Sequence, residues 1–466
     1  MAAAKHAIRL ASVGAAASVA GLFQVYRTRV APLPDAHPAV DSYAHFIPRL
    51  REFVLEGQGL PTFSKLTAES FKPASIAAWY QSTEPLQSGL AASFWISVVA
   101  WLLAEITGNA SQIDRVWTFL PVIFSAHFTL YPYLVGGATS TAFAASNKLS
   151  QPDVPGVSNS IDKRMLLILV LQCCWSLRLS YNTFRRGLFS IWDEDYRWPI
   201  LRQRMSKIQF KLLNFFFIAF TQTYLLYATA LPQYLLLTMS RVYHPTQTAV
   251  PLGIPDAIIA GTYLLTLAVE MTADNQQQAY QKFKRAPADP AKDKNKTDIQ
   301  LATEEASRKR GFVTSGLWAY SRHPNFACEQ FTWWVLYAFT LRATIPGHIA
   351  KTFWSTFVSA VQARDVHALR AVGLAARPYL VNYSIAGPVS YSLLFIASTI
   401  FSEGISSAKY PLYRSYQSAV PMFWPIEGLL IKTPLNILLG RKKQLNHEVF
   451  GHAGVPARLS KGAKKQ

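Results

Sequence analysis

The residues best suited to chemistry lie in one run, Gly316-Leu-Trp-Ala-Tyr-Ser-Arg-His-Pro-Asn-Phe326, with Glu329 one helical turn beyond it. Pro324 restricts His323 to extended backbone and suits the first turn of a following helix. Arg322 and His323 then stand at a helix N-terminus, where unpaired backbone N–H groups and the helix dipole attract anions. Asn325 and Glu329, four apart, share a face and can offer amide and carboxylate contacts to a base or a ribose. Together these groups could hold a phosphate-bearing cofactor at the cytosolic edge of a membrane. The same Arg-His pair could equally anchor a lipid phosphate.

Three further clusters combine charge with aromatic or apolar neighbours. Asp114-Arg115-Val116-Trp117 opens an apolar run and reads as a surface ion pair or a site. A second runs from Arg178 through Asn182, Arg185 and Arg186 to Asp193, Glu194, Asp195, Tyr196, Arg197 and Trp198. Its acids read as a solvated turn, or as partners for the arginines around them. The third is Glu270, Asp274 and Gln277, whose spacing places all three on one helical face. Acids in the last turn of a helix oppose its dipole, so something must compensate them. Cys173, Cys174 and Cys328 have no metal-like spacing and imply neither a disulfide framework nor a zinc site.

The elements that must carry these clusters are apolar helices. The 466 residues are 50% hydrophobic, 13% aromatic and only 15% charged, with a formal net charge of +20. Charged residues usually make up about 25% of a soluble domain, so disorder and an ordinary soluble enzyme are both excluded. A spanning helix needs about 20 apolar residues. Leu90–Thr107, Val116–Val135, Met165–Ser180, Leu212–Thr238, Leu252–Met271, Phe326–Leu341 and Asn382–Phe401 meet or approach that length. Ile345–Val361 carries Gly347, His348 and Lys351 and reads equally as an interfacial helix or a loop. The expected fold is all-α, a polytopic transmembrane helix bundle of about 7–8 spans.

Basic blocks at Arg178–Lys211, at Thr272–Arg322 and after Ser402 can all face the cytosol, although Arg364, Arg370 and Arg377 would then lie opposite. The aromatics lie within the apolar runs rather than on a basic groove, so no nucleic-acid partner is expected. Lys5, Arg9, Arg27 and Arg29 flank an Ala-rich stretch, Leu10–Val25, that suits an anchor, a short first span or a mitochondrial transit peptide. Three segments follow: an N-terminal anchor and polar cap at 1–89, a membrane domain at 90–425, and a basic cytosolic tail at 426–466. Arg285–Lys296 reads as a solvated insert.

At its motifs the chain resembles the steroid 5-alpha-reductase-like membrane proteins, and more narrowly their uncharacterised DUF1295 branch, whose pattern reads GLW-x-YSRHPNYxxE. Phe326 stands where that branch usually has Tyr. Asp114–Trp117, Arg178–Trp198 and Glu270–Gln277 match further elements of the branch in order, and Tyr410, Tyr413 and Tyr416 resemble its Tyr-rich end. The resemblance runs from Ile113 to Trp424. It implies a reductase of the endoplasmic reticulum membrane, or less readily of a mitochondrial one, that binds NADPH from the cytosolic side. Such an enzyme passes hydride to the β-carbon of a conjugated enone in an apolar lipid or steroid-like substrate.

Carried over by motif, Arg178, Asn182 and Arg186 face phosphates and Asp274 faces the ribose or adenine. Tyr320, Arg322, His323, Asn325 and Glu329 close around the diphosphate and the nicotinamide ribose. The Glu–Tyr pair that polarises the carbonyl in the 5-alpha-reductases has no clear counterpart; Glu105, Tyr131 and Tyr133 lie in the right region. Two alternatives are an S-adenosylmethionine-dependent methyltransferase of the isoprenylcysteine carboxyl methyltransferase type, which shares an Arg-His-Pro-x-Tyr element, and a non-catalytic membrane protein.

Overall fold

The computed structural model describes residues 40–60, 68–135, 161–239, 252–287, 296–345 and 347–451. The expected anchor at Leu10–Val25, much of the insert and the end of the tail lie outside the described residues. All regular structure among those residues is helical.

Helix ends fall where local chemistry puts them. Glu84 caps Pro85–Thr107 by accepting from the Gln87 backbone N–H at 3.0 Å, and Pro85 fills the first position, where no N–H is needed. Asp162 caps Lys163–Arg185 by accepting from the N–H groups of Arg164 and Met165. Ser206 with Gln209, and Thr297 with Gln300, form reciprocal capping boxes.

Among the described residues, four helices are long and apolar enough to cross a membrane: Pro85–Thr107, Lys163–Arg185, Ile254–Arg285 and Tyr383–Lys409. This is compatible with an integral membrane protein. Leu212–Thr238, read as one span, is instead Lys207–Ala228 followed by Leu231–Thr238, bent by 43°. Pro232 stands just past the break and cannot supply the N–H that continuity would require. Val116–Val135 is interrupted as well: Leu120–Leu134 has 15 residues, a rise of only ~22 Å. Pro324–Thr344 is long enough but carries Asn325, Glu329, Gln330 and Arg342. The ambiguous Ile345–Val361 becomes the helix Gly347–Gln362, below spanning length at 16 residues.

The chain divides into two compact units. The first comprises Met1–Tyr263 and Trp333–Tyr391. Its core is aromatic: Trp333 contacts both Trp175 and Tyr391 with ring centroids 5.0 and 5.2 Å apart. Tyr227 lies against Phe124 and donates to the Leu86 carbonyl at 2.9 Å. Gly89 permits this approach, because a Cβ there would meet a Tyr227 ring carbon at 2.5 Å. Several buried polar groups pair with one another, as a water-poor interior favours. Arg164 holds Asp256 at 2.7 Å, and Gln233 donates to Ser125 and Gln172.

The second unit comprises Leu264–Thr332 and Ser392–Gln466. It contains the signature run, folded as a 3₁₀ turn, Gly316–Ala319, that feeds the helix Pro324–Thr344. Gly316 has φ +62°, and a Cβ there would press on the Gln276 side chain, whose Oε1 accepts from the Leu317 N–H at 2.9 Å. Only glycine suits that position. Phe312 stacks on Tyr416 beside Tyr413.

Candidate functional site

In the second unit, Arg322 organises the signature. Its guanidinium binds Glu403 through two hydrogen bonds, Nε to Oε1 at 2.6 Å and Nη2 to Oε2 at 3.0 Å. Nη1 donates to the Gln417 carbonyl at 3.1 Å and to the Val420 carbonyl. Both charged groups are buried, where such a pair holds only with its remaining donors and acceptors satisfied. Glu403 also accepts from Gln417 Nε2 at 2.9 Å and from the Tyr413 hydroxyl at 3.4 Å, and lies 3.0 Å from His323 Nε2. Burial lowers the His323 pKa, against the pull of Glu403. The main chain completes the clasp, with the N–H groups of Arg322 and His323 donating to Pro421 and Met422 carbonyls.

The expected reading gave Arg322 to a cofactor phosphate; its charge is instead matched by Glu403. Sequence reasoning missed Glu403, which lies 81 residues from Arg322. A lone acid in a spanning helix is itself a signal, since such a group needs a cation partner. The Tyr-rich end has a role here too: Tyr416 donates to the Trp318 carbonyl at 2.5 Å, and Tyr410 accepts from Lys284 at 2.7 Å.

A second buried polar group joins the helices Ile254–Arg285 and Pro324–Thr344. Asn325 Nδ2 donates to Asp274 Oδ1 at 3.1 Å. One turn along each helix lie Glu270 and Glu329, both buried. Asn325 Oδ1 and Gln277 Oε1 are buried acceptors with no hydrogen-bond partner among the described residues. The structure thus brings Asp274, Asn325, Arg322 and His323 into one unit with Glu329. Tyr320 is in the same unit with its ring 67% exposed.

Arg178, Asn182 and Arg186 belong to the first unit, at the end of Lys163–Arg185. Asn182 is buried and accepts from Arg185 Nε at 2.9 Å, while Arg186 is exposed. The two motifs nearest them lock together. Arg115 donates to the carbonyls of Ser190, Ile191 and Asp193, and Asn109 donates to the last two. Trp198 Nε1 donates to Asp114 at 2.9 Å. Burial raises the Asp114 pKa, with Arg197 opposing. Asp195 goes the other way, its pKa lowered because Arg197 bonding outweighs burial.

The first unit also holds a Glu–Tyr pair that sequence reasoning did not find. Tyr234 donates to Glu84 Oε1 at 2.9 Å, both side chains being buried. Burial raises the Glu84 pKa from 4.5 to about 7, against the Gln87 and Tyr234 hydrogen bonds. An acid so placed can hold or release a proton near neutrality. The residues expected in that role are otherwise engaged: Glu105 pairs with Lys211 and Asn214, Tyr131 donates to the Thr83 carbonyl, and Tyr133 is exposed.

A profile described only as a protein of unknown function, DUF1295, matches residues 100–377, which include the signature. The chain belongs to the DUF1295 family. An uncharacterised protein of Schizosaccharomyces pombe is 30% identical over 353 residues, covering 75% of this chain and 83% of the yeast protein. No solved structure matches the chain. Glu403 and the Tyr-rich end lie beyond the residues matched to the family.

Proposed function

We propose that the chain is an NADPH-dependent reductase of a conjugated double bond in an apolar lipid or steroid-like substrate, working in the endoplasmic reticulum membrane. The observation that carries this reading is the buried array around Asn325, which engages Asp274 and keeps an unpartnered acceptor, as does Gln277. Buried acceptors of this kind suit the hydroxyl and carboxamide donors of a dinucleotide. Arg322 does not suit a free phosphate, because Glu403 neutralises it.

When bound, NADPH supplies the hydride. The chain's residues orient donors, exclude water and manage the proton. Asp274, held by Asn325, would accept from the hydroxyls of the cofactor. In the first unit, Glu84, held by Tyr234, is a buried acid able to keep a proton near neutral pH.

Thermal unfolding in detergent tests the binding step. NADPH should raise the midpoint and S-adenosylmethionine should not. Asn325→Ala should reduce the NADPH shift without lowering the midpoint of the ligand-free protein by more than about 1 kcal/mol equivalent. A shift with S-adenosylmethionine alone would move the assignment to a methyltransferase, and no response to either would favour a non-catalytic role.

A further inference from the structure

After Trp424 the chain forms a continuous short helix of inverted polarity, with Pro425–Glu427 and Gly428–Lys432 running into Thr433–Leu438. Its polar side chains point into the protein. Lys432 Nζ donates to the carbonyls of Gln417 at 2.6 Å and Val420 at 3.0 Å, and Asn436 Nδ2 donates to the Ser418 carbonyl at 3.1 Å. Lys432 and Asn436 are four apart and share that face. The apolar side chains point away: Leu429, Leu430 and Leu438 are 70%, 65% and 83% exposed, and Ile431, Leu435 and Ile437 are exposed as well. Water would not tolerate a contiguous apolar face of this kind.

The segment cannot cross a membrane. Pro425–Leu438 rises about 21 Å against a hydrocarbon core of about 30 Å. Gly440, with φ +66°, closes it, as the Arg441 N–H bonds the Asn436 carbonyl and the Gly440 N–H bonds the Ile437 carbonyl. Immediately after that stop stand Arg441, Lys442 and Lys443, all exposed. An apolar face, insufficient length and a basic cluster at one end together fit a helix lying in the anionic surface of a bilayer.

We propose that Pro425–Leu438 is an in-plane membrane helix whose seating on anionic lipid braces Arg322. The coupling is direct. The carbonyls of Gln417 and Val420 each receive both Lys432 Nζ and Arg322 Nη1. Lifting the helix from lipid withdraws Lys432 from the two carbonyls that also fix Arg322. The site expected to be part of a basic cytosolic tail is thereby a lipid contact that reports to the signature.

The test uses the full chain in nanodiscs. Cys173→Ser, Cys174→Ser and Cys328→Ser provide the background, and Leu438→Cys carries a bimane label. Nitroxide-bearing lipid should quench the label strongly and aqueous iodide weakly. Adding phosphatidylglycerol to phosphatidylcholine should increase quenching by the lipid probe. Arg441→Gln with Lys442→Gln and Lys443→Gln should abolish that increase. Iodide quenching equal to that of free dye overturns the proposal. So does protection from both quenchers, which would assign the face to a protein partner or a second copy. Lys432→Met should accelerate amide exchange at residues 417–423; unchanged exchange overturns the brace.

Discussion

At the scale of single residues, the decisive interaction is the pairing of Arg322 with Glu403. Removing one partner of a buried ion pair leaves the other charge without compensation, which costs about 3–5 kcal/mol. Glu403→Ala should therefore lower the thermal midpoint sharply, and Glu403→Gln, which keeps acceptor and shape, should lower it less. Equal midpoints for wild type and Glu403→Ala would dissolve the clasp. Glu84 gives a pH prediction of definite sign. Its folded pKa is raised to about 7 from 4.5, so its contribution to stability is complete below the lower value and lost as pH rises through the upper one. The wild-type midpoint should fall between pH 5 and pH 8, and Glu84→Gln should flatten that fall while retaining the Tyr234 contact. The types of Arg322, His323, Asn325 and Asp274 were readable from sequence, because Pro324 and helical spacing fix their local geometry. The partner of Arg322 and His323 was not: Glu403 lies 81 residues from Arg322, and Tyr234 likewise lies 150 residues from the Glu84 it serves, distances that only tertiary packing closes.

At the scale of elements, the turn after Lys163–Arg185 is held from outside itself. Arg115 and Asn109 grip the carbonyls of Ile191 and Asp193, and Ser111 Oγ accepts from the Asp195 N–H. Arg115→Ala should free this turn, measured as faster amide exchange at residues 190–195 with little change in the core helices. Unchanged exchange would mean that Asn109 and Ser111 suffice. The sequence pattern located the four helices that qualify as spans, since apolar runs are local signals, but it stopped well short of the ends of Ile254–Arg285 and Tyr383–Lys409, where each helix continues as a polar segment. It misjudged continuity where proline intervened, at Pro121 and Pro232, because average apolarity over a window does not register one missing N–H. It assigned 426–466 to a basic tail, in which Arg441, Lys442 and Lys443 dominate the count of charges, and did not read the apolar helix that stands before them.

At the scale of the whole molecule, low charge and positive excess anticipated a helical membrane protein, and four membrane-length helices agree with that expectation. The second unit holds the buried acceptors and the clasped signature, and the first holds a buried acid with a pKa near neutrality. The proposed activity of this DUF1295 chain is hydride transfer from NADPH to an apolar unsaturated substrate. The most direct measurement follows deuterium from NADPH labelled at nicotinamide C4 into the lipids of membranes containing the full chain. The expected result is one deuterium in a lipid that has lost one double bond, at the carbon β to a carbonyl, and a marked loss of that transfer with Asn325→Ala. Deuterium remaining on the nicotinamide, with methyl transfer from S-adenosylmethionine in its place, would contradict it.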